Sequence, residues 1–167
     1  MQIRFEELKD HNAVWSVNEA AFETSAEANL VNLLRAKKLA RISLVAELSG
    51  SVVGHILFSQ IQLSGKIDCR IMGLGPMAIL PTYQRQGIGS ALVWEGLKRC
   101  TDSGFGAVVV LGHPGFYPRF GFMPGSRFGL SSGYDVPDDV FMAVELQPGY
   151  LQGVSGRIYY DEAFDGV

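Results

Sequence analysis

Residues 84–92 read Gln84-Arg85-Gln86-Gly87-Ile88-Gly89-Ser90-Ala91-Leu92. The stretch follows an extended apolar segment and opens a helix-like one, so two glycines fall where strand gives way to helix. The first turn of a helix presents main-chain N–H groups that have no partner inside the helix. They point outward at the positive end of the macrodipole and make a natural seat for phosphate. Gly87 and Gly89 lack a Cβ, so phosphates can come close to the main chain. Arg85 adds a positive charge.

The spacing excludes two nucleotide motifs. A P-loop requires Gly-x-x-x-x-Gly-Lys-Ser/Thr, and no Lys-Ser/Thr pair stands here. A Rossmann fingerprint requires a third glycine where Leu92 stands. It also requires an acidic residue about 20 residues on, where Leu111 and Gly112 stand. What remains is Gln/Arg-x-x-Gly-x-Gly, preceded by Leu74-Gly75-Pro76-Met77-Ala78-Ile79-Leu80-Pro81. Downstream comes Phe116-Tyr117-Pro118-Arg119-Phe120-Gly121-Phe122, with Leu111-Gly112-His113-Pro114 ahead of it. In these two motifs the chain resembles the GNAT superfamily of N-acetyltransferases, and most of all its bacterial YhbS-like subgroup. The resemblance covers residues 1 to 146 in element order, and its specific motifs occupy 74–92 and 111–122.

Length and composition fit one α/β domain over residues 1–167, with residues 148–167 as a C-terminal extension packed on or near it. Hydrophobic content is 47% and charged content 19%, the balance of a chain that folds. A net charge of −3 gives no support to nucleic-acid binding and mildly favours a cationic small molecule. Cys69 and Cys100 cannot build a disulfide framework and read as buried small hydrophobes. No metal-ligand spacing links the three histidines and two cysteines. The N-terminus lacks a signal-peptide core and no apolar run reaches membrane-spanning length, so a cytoplasmic, membrane-free protein is expected.

Residues 2 to 8 alternate as a strand, and Asp10 or Asn12 is placed to cap a helix through Phe22. Thr24-Ser25-Ala26-Glu27 has capping-box spacing for a second helix ending near Leu39, with Ala26, Leu30, Leu33, Leu34 and Lys37 on one stripe. Three strands follow as a meander: Ile42–Leu48, Val52–Leu63 and Cys69–Leu80, joined by turns at Ser49-Gly50-Ser51 and Ser64-Gly65-Lys66. Gly75-Pro76 interrupts the third, as an edge kink or a bulge. A helix over Gly87–Thr101 buries Ile88, Leu92, Val93, Gly96, Leu97 and Cys100, and leads to a strand at Ala107–Leu111 parallel to the third. A short helix near Phe116–Phe120, a strand from Phe122, a turn-rich stretch over Gly125–Asp139 that reads either as a mobile loop over the acceptor site or as a long connection, and a strand at Val140–Leu146 complete the pattern. Arg157-Ile158-Tyr159-Tyr160 reads as a further short strand.

The resemblance implies a GNAT-like acyl-CoA N-acyltransferase fold, a mixed, mostly antiparallel twisted sheet flanked by helices and splayed at a cofactor cleft. It implies acetyl-CoA as cosubstrate, with Arg85, Gln86, Gly87, Ile88, Gly89 and Ser90 at the pyrophosphate. The main chain of Met77, Ala78 and Ile79 would pair with the pantetheine arm, and the Met77 or Ala78 N–H would polarise the thioester carbonyl. The implied reaction is acetyl transfer to a small-molecule or protein amine by direct attack in a ternary complex, in a monomer or homodimer. A lysine-like amine with a pKa of ~10.4 must lose a proton to attack, and the departing thiolate, ~8.5 when unperturbed, accepts one. Tyr117 is the implied general acid, and the other reading of its ring is packing beside Phe116, Phe120 and Phe122. Glu47, His55 and His113 are base candidates, with Glu23 and Glu27 near the acceptor side. Each has a structural alternative: a solvent-face strand residue, a hydrogen-bonded strand histidine, a turn cap. No cysteine sits in a nucleophile setting, which disfavours an acyl-enzyme. Two rivals stand beside this reading: a non-catalytic acyl-CoA sensor, and an acyltransferase drawing on acyl-carrier protein or aminoacyl-tRNA.

Overall fold

A computed structural model describes residues 1–64 and 69–167. The elements are β1 (Gln2–Phe5), α1 (His11–Ala21), α2 (Ala26–Ala36), β2 (Ala40–Leu48), β3 (Ser51–Gln60), β4 (Gln62–Leu63) and β5 (Ile71–Ile79). Then come α3 (Ile88–Asp102), β6 (Ala107–Leu111), β7 (Met123–Pro124), β8 (Leu130–Ser132), β9 (Phe141–Glu145) and β10 (Gly156–Tyr159). The turn expected at Ser64-Gly65-Lys66 lies, beyond Ser64, outside the described residues. The described residues form two compact units: residues 1–59, 75–96 and 163–167, and residues 60–74 and 97–162. Strand β5 and helix α3 each run from one unit into the other, with no linker between.

In the first unit β1 pairs antiparallel with β2, and β2 antiparallel with β3. Leu48 faces Ser51 across a two-residue loop in which Ser49 (φ +51°) and Gly50 (φ +82°) are both left-handed. That is the turn whose twist matches a hairpin's strands. Val14 of α1 and Leu30, Val31 and Leu34 of α2 bury against Val45 and Leu57, and Phe164 packs on the same cluster. The expected stripe on α2 was shifted: Leu33 is 49% exposed, and Ala28 and Val31 face inward instead. The helix begins one residue later than a Thr24 cap requires, so Glu27 does not close a capping box, although Thr24 Oγ1 accepts the Ala26 N–H at 3.2 Å. Asp10 does not cap α1 with its side chain either. Its carboxylate accepts from the Arg4 guanidinium at 2.7 and 3.0 Å and from the Glu7 N–H at 2.7 Å. The N-terminal half of α3 lies close on β3 because two glycines permit it. A Cβ at Gly54 would sit 2.9 Å from Ile79 Cδ1 and 3.2 Å from Leu92 Cδ1, and one at Gly96 would run into the Phe58 ring.

In the second unit the first half of β5 pairs in parallel with β6, β6 antiparallel with β9, and β9 antiparallel with β7. A second sheet has the order β4-β10-β8. Strand β10 runs antiparallel to β4 and parallel to β8. The long strand expected over Val52–Leu63 therefore breaks at Ile61, and Gln62–Leu63 belongs to this second sheet. The stretch expected as turn-rich, 125–139, holds β8. Ile61, Ile71, Val109, Leu130, Phe141, Leu151 and Ile158 pack together as the unit's core. Cys100 is buried, its thiol pushed up to about 12 by burial, whereas Cys69, expected to be buried, is half-exposed. The Arg70 guanidinium donates to the Ser103 and Gly104 carbonyls at 2.8 and 3.0 Å, satisfying acceptors left open past the end of α3.

The Gly96–Phe58 approach gives a test. Gly96→Ala should lower unfolding free energy by about 1–3 kcal/mol in urea titration, although alanine suits a helix interior better than glycine. Adding Phe58→Leu should make the pair less costly than the sum of the single changes.

Candidate functional site

The strand-to-helix turn is built by short-range bonds. Gln84 Nε2 donates to the Ile79 carbonyl at 3.0 Å, and Gln86 Nε2 to the Thr82 carbonyl at 3.2 Å. Arg85 (φ +62°) and Gly87 (φ +85°) both take left-handed conformations, and the Gln86 between them separates the two turns of the chain. Alternating backbone conformations of this kind gather successive N–H groups into an anion-binding concavity. The Ala91 N–H reaches the Gly87 carbonyl at 3.1 Å. The amides of Ile88, Gly89 and Ser90 come before that bond, in the turn whose donors have no helical acceptor. Apart from its own chain neighbours, no atom of the described residues lies within 4 Å of a Cβ built on Gly87, so its face is open. Ile88 is buried and anchors the turn, while Arg85, Gln86 and Gly87 are exposed. All six expected phosphate-loop residues are thus contiguous at one helix end.

Strand β5 is no edge strand: β3 and β6 are its neighbours. Its pairing with β6 runs from Ile71–Ala107 to Leu74–Val110, and β5 itself continues to Ile79 through Gly75 (φ +145°). Met77, Ala78 and Ile79 lie on this continuation, Ala78 buried and the other two half-buried.

Tyr117 stands on a 3-10 turn, Tyr117–Phe120, which ends at a left-handed Gly121. Its ring is 8% exposed and packs edge-on against Phe116 and Phe122, with centroids 5.0 and 5.5 Å away. The ring also covers Gly112, where any side chain would collide with it. Burial pushes the phenol up to about 12, so it holds its proton throughout the neutral range. Both expected readings, packing and proton donor, are compatible with this geometry.

The base candidates differ in setting. His55 is fully buried. Asn18 Nδ2 donates to its Nδ1 at 3.2 Å, which leaves the proton on Nε2, 2.8 Å from Ser43 Oγ. Burial, and then the Arg35 charge, push its pKa down to about 3. Glu47 gives its carboxylate to Arg4 at 3.1 Å, and Arg4 also holds Asp10. These contacts tie β1 to β2 and to the start of α1. His113 is exposed, and its carbonyl accepts the Phe116 and Tyr117 N–H groups at 3.1 and 3.4 Å. Glu23 is exposed and Glu27 half-buried.

Sequence reasoning missed Tyr160 and Tyr134. The Tyr160 ring lies against Gly73, with Cε1 2.8 Å from a Cβ built there, and its centroid is 6.1 Å from that of Tyr134. Burial raises the Tyr160 phenol's pKa, and Tyr134 and Tyr117 raise it further. A glycine inside an apolar strand was the available signal, since such a residue marks a close approach.

Residues 5–122 match the family model described as acetyltransferase (GNAT) family. The N-acetyltransferase YhbS of Escherichia coli (strain K12) is 34% identical over 166 residues, 99% of each chain. The crystal structure of YhbS from E. coli in complex with CoA superimposes with a TM-score of 0.94, covering 98% of this chain and 91% of that one. A GNAT family acetyltransferase from Brucella melitensis in complex with acetyl-CoA gives a TM-score of 0.83 at 35% identity, over 98% and 97% of the two chains.

The buried His55 yields a pH prediction. An unfolded imidazole takes its proton near 6.5 and the folded one resists until about 3. The unfolded chain thus binds more protons in this window, and stability falls as pH drops through 6.5. Urea unfolding at stepped pH should show that slope, and His55→Gln should flatten it while lowering stability at pH 8.

Proposed function

The chain belongs to the acetyltransferase (GNAT) family, and from that premise we propose how its own residues carry the reaction. The protein is an acetyl-CoA-dependent N-acetyltransferase. The observation that carries the mechanism is the open cup of main-chain amides around Arg85, Gly87 and the first turn of α3. Six residues, Arg85 to Ser90, hold the pyrophosphate of coenzyme A, chiefly through backbone N–H groups, with the Arg85 guanidinium as an outer charge. Beyond Leu74 the main chain of Met77, Ala78 and Ile79 pairs with the pantetheine arm as a neighbouring strand would. The Met77 or Ala78 N–H donates to the thioester carbonyl as negative charge develops there.

A neutral amine attacks the acetyl carbon, the new C–N bond forms and the C–S bond breaks. The amine's proton passes to a base and the coenzyme A thiolate takes one from Tyr117. A phenol held at about 12 is fully protonated at neutral pH, so its proton is in place when the thiolate forms. We assign the base to His113, whose ring is exposed, whereas Glu47 and His55 are engaged by Arg4 and by Asn18 and Ser43. Much of the acceleration comes from holding donor and acceptor together in a ternary complex. Dependence on a cytoplasmic thioester supports a cytoplasmic location.

Isothermal titration of the full chain with acetyl-CoA should give one site. Gly87→Val should weaken it by about tenfold or more, since a branched side chain strains a left-handed residue and fills the cup. Tyr117→Phe should lower kcat by about 10²-fold with acetyl-CoA affinity unchanged. A chain that binds no acetyl-CoA, or a Tyr117→Phe variant with full kcat, would overturn the assignment.

A further inference from the structure

The second unit carries a groove of about 430 Å³ that none of the roles above uses. It is formed where β8 and β10 run in parallel, with Arg157 registered beside Ser131. Its lining includes two carboxylates, Asp135 and Asp138, and one guanidinium, Arg157. Val136 and Phe141 supply apolar wall, and Tyr134 borders the same space. The Tyr134 ring has its centroid 6.1 Å from that of Tyr160, which lies over Gly73 of β5.

The lining defines a ligand by complementarity. Two carboxylates select ammonium groups, and a guanidinium selects a carboxylate through its paired donors. The charged lining carries one net negative charge, so its complement carries one net positive charge. A polyamine would place a positive charge against Arg157, and a simple monoamine would leave Arg157 and one aspartate unmatched. An apolar wall in a groove that also carries charged groups fits a short run of methylenes.

We propose that this groove binds the acceptor, and that the acceptor is a small diaminocarboxylate: two amines separated by methylenes, with a carboxylate held by Arg157. The inference rests on the acetyltransferase reading only for the word acceptor; the binding site stands on the groove itself. Asp135 and Asp138 hold the amines, and Arg157 sets the orientation, so that one amine is held back while the other is presented.

The test is calorimetry on the full chain with two probes, L-lysine and cadaverine, the second being the same diamine without its carboxylate. The wild-type chain should bind L-lysine more tightly than cadaverine. Arg157→Gln should weaken L-lysine by about tenfold and cadaverine by less than about twofold, since only one probe loses a charge-assisted pair. The Asp135→Asn, Asp138→Asn double variant should weaken both by about tenfold or more. Arg157 and both aspartates are exposed, so the variants should fold, and matching thermal unfolding curves would check this. Absence of L-lysine binding, equal affinity for the two probes, or an Arg157→Gln variant with unchanged preference would each overturn the proposal. A parallel acetyl-CoA titration separates the two readings. Loss of acetyl-CoA binding alone strikes the acetyltransferase mechanism, and loss of L-lysine selectivity alone strikes the groove.

Discussion

Main-chain N–H groups require acceptors, and the few left open at the start of α3 are the constraint on which the rest depends. The chain does not leave them open by accident of sequence length. Gln84 and Gln86 fold their side-chain amides back onto the Ile79 and Thr82 carbonyls. Arg85 and Gly87 then turn the backbone left-handed twice, and buried Ile88 pins the first helical residue. The loop is held by its own short-range bonds, and a loop so held costs a ligand less to order.

Close approach is the second theme. Aromatic rings lie over glycines at Gly96 (Phe58), Gly106 (Tyr150), Gly112 (Tyr117) and Gly73 (Tyr160). The ring of Tyr117 is held from several sides by Phe116, Phe122 and the bare backbone of Gly112, so its phenol is fixed in place as well as protonated. The proton-donor role we propose for Tyr117 uses both properties.

Periodicity made most of the fold legible. Ala107–Leu111 is a strand to the residue, and the α3 stripe from Ile88 to Cys100 is buried as its spacing required. The loop we propose for phosphate was legible as a motif for another reason: its residues are consecutive. What sequence could not show were choices settled by distant partners. Val52–Leu63 reads as one strand, but Gln62 pairs with Tyr159, nearly a hundred residues on. Glu47 and His55 have the right chemistry for a base, yet the Glu47 carboxylate belongs to Arg4, 43 positions earlier. His55 lies 37 residues from Asn18, its partner. The turn-rich stretch 125–139 could be read as a loop over the acceptor site, but not its groove, since Asp135 and Arg157 come to line one space only once β10 is laid against β8.

Phe164 carries a consequence for how the molecule is made. It packs with Val14, Leu34 and Val45, residues that leave the ribosome more than a hundred positions sooner. The helices and hairpin of that unit are synthesised well before Phe164 arrives to cover part of their apolar cluster. During translation the nascent protein therefore passes through a stage with exposed hydrophobic surface, the condition under which chaperones engage a chain.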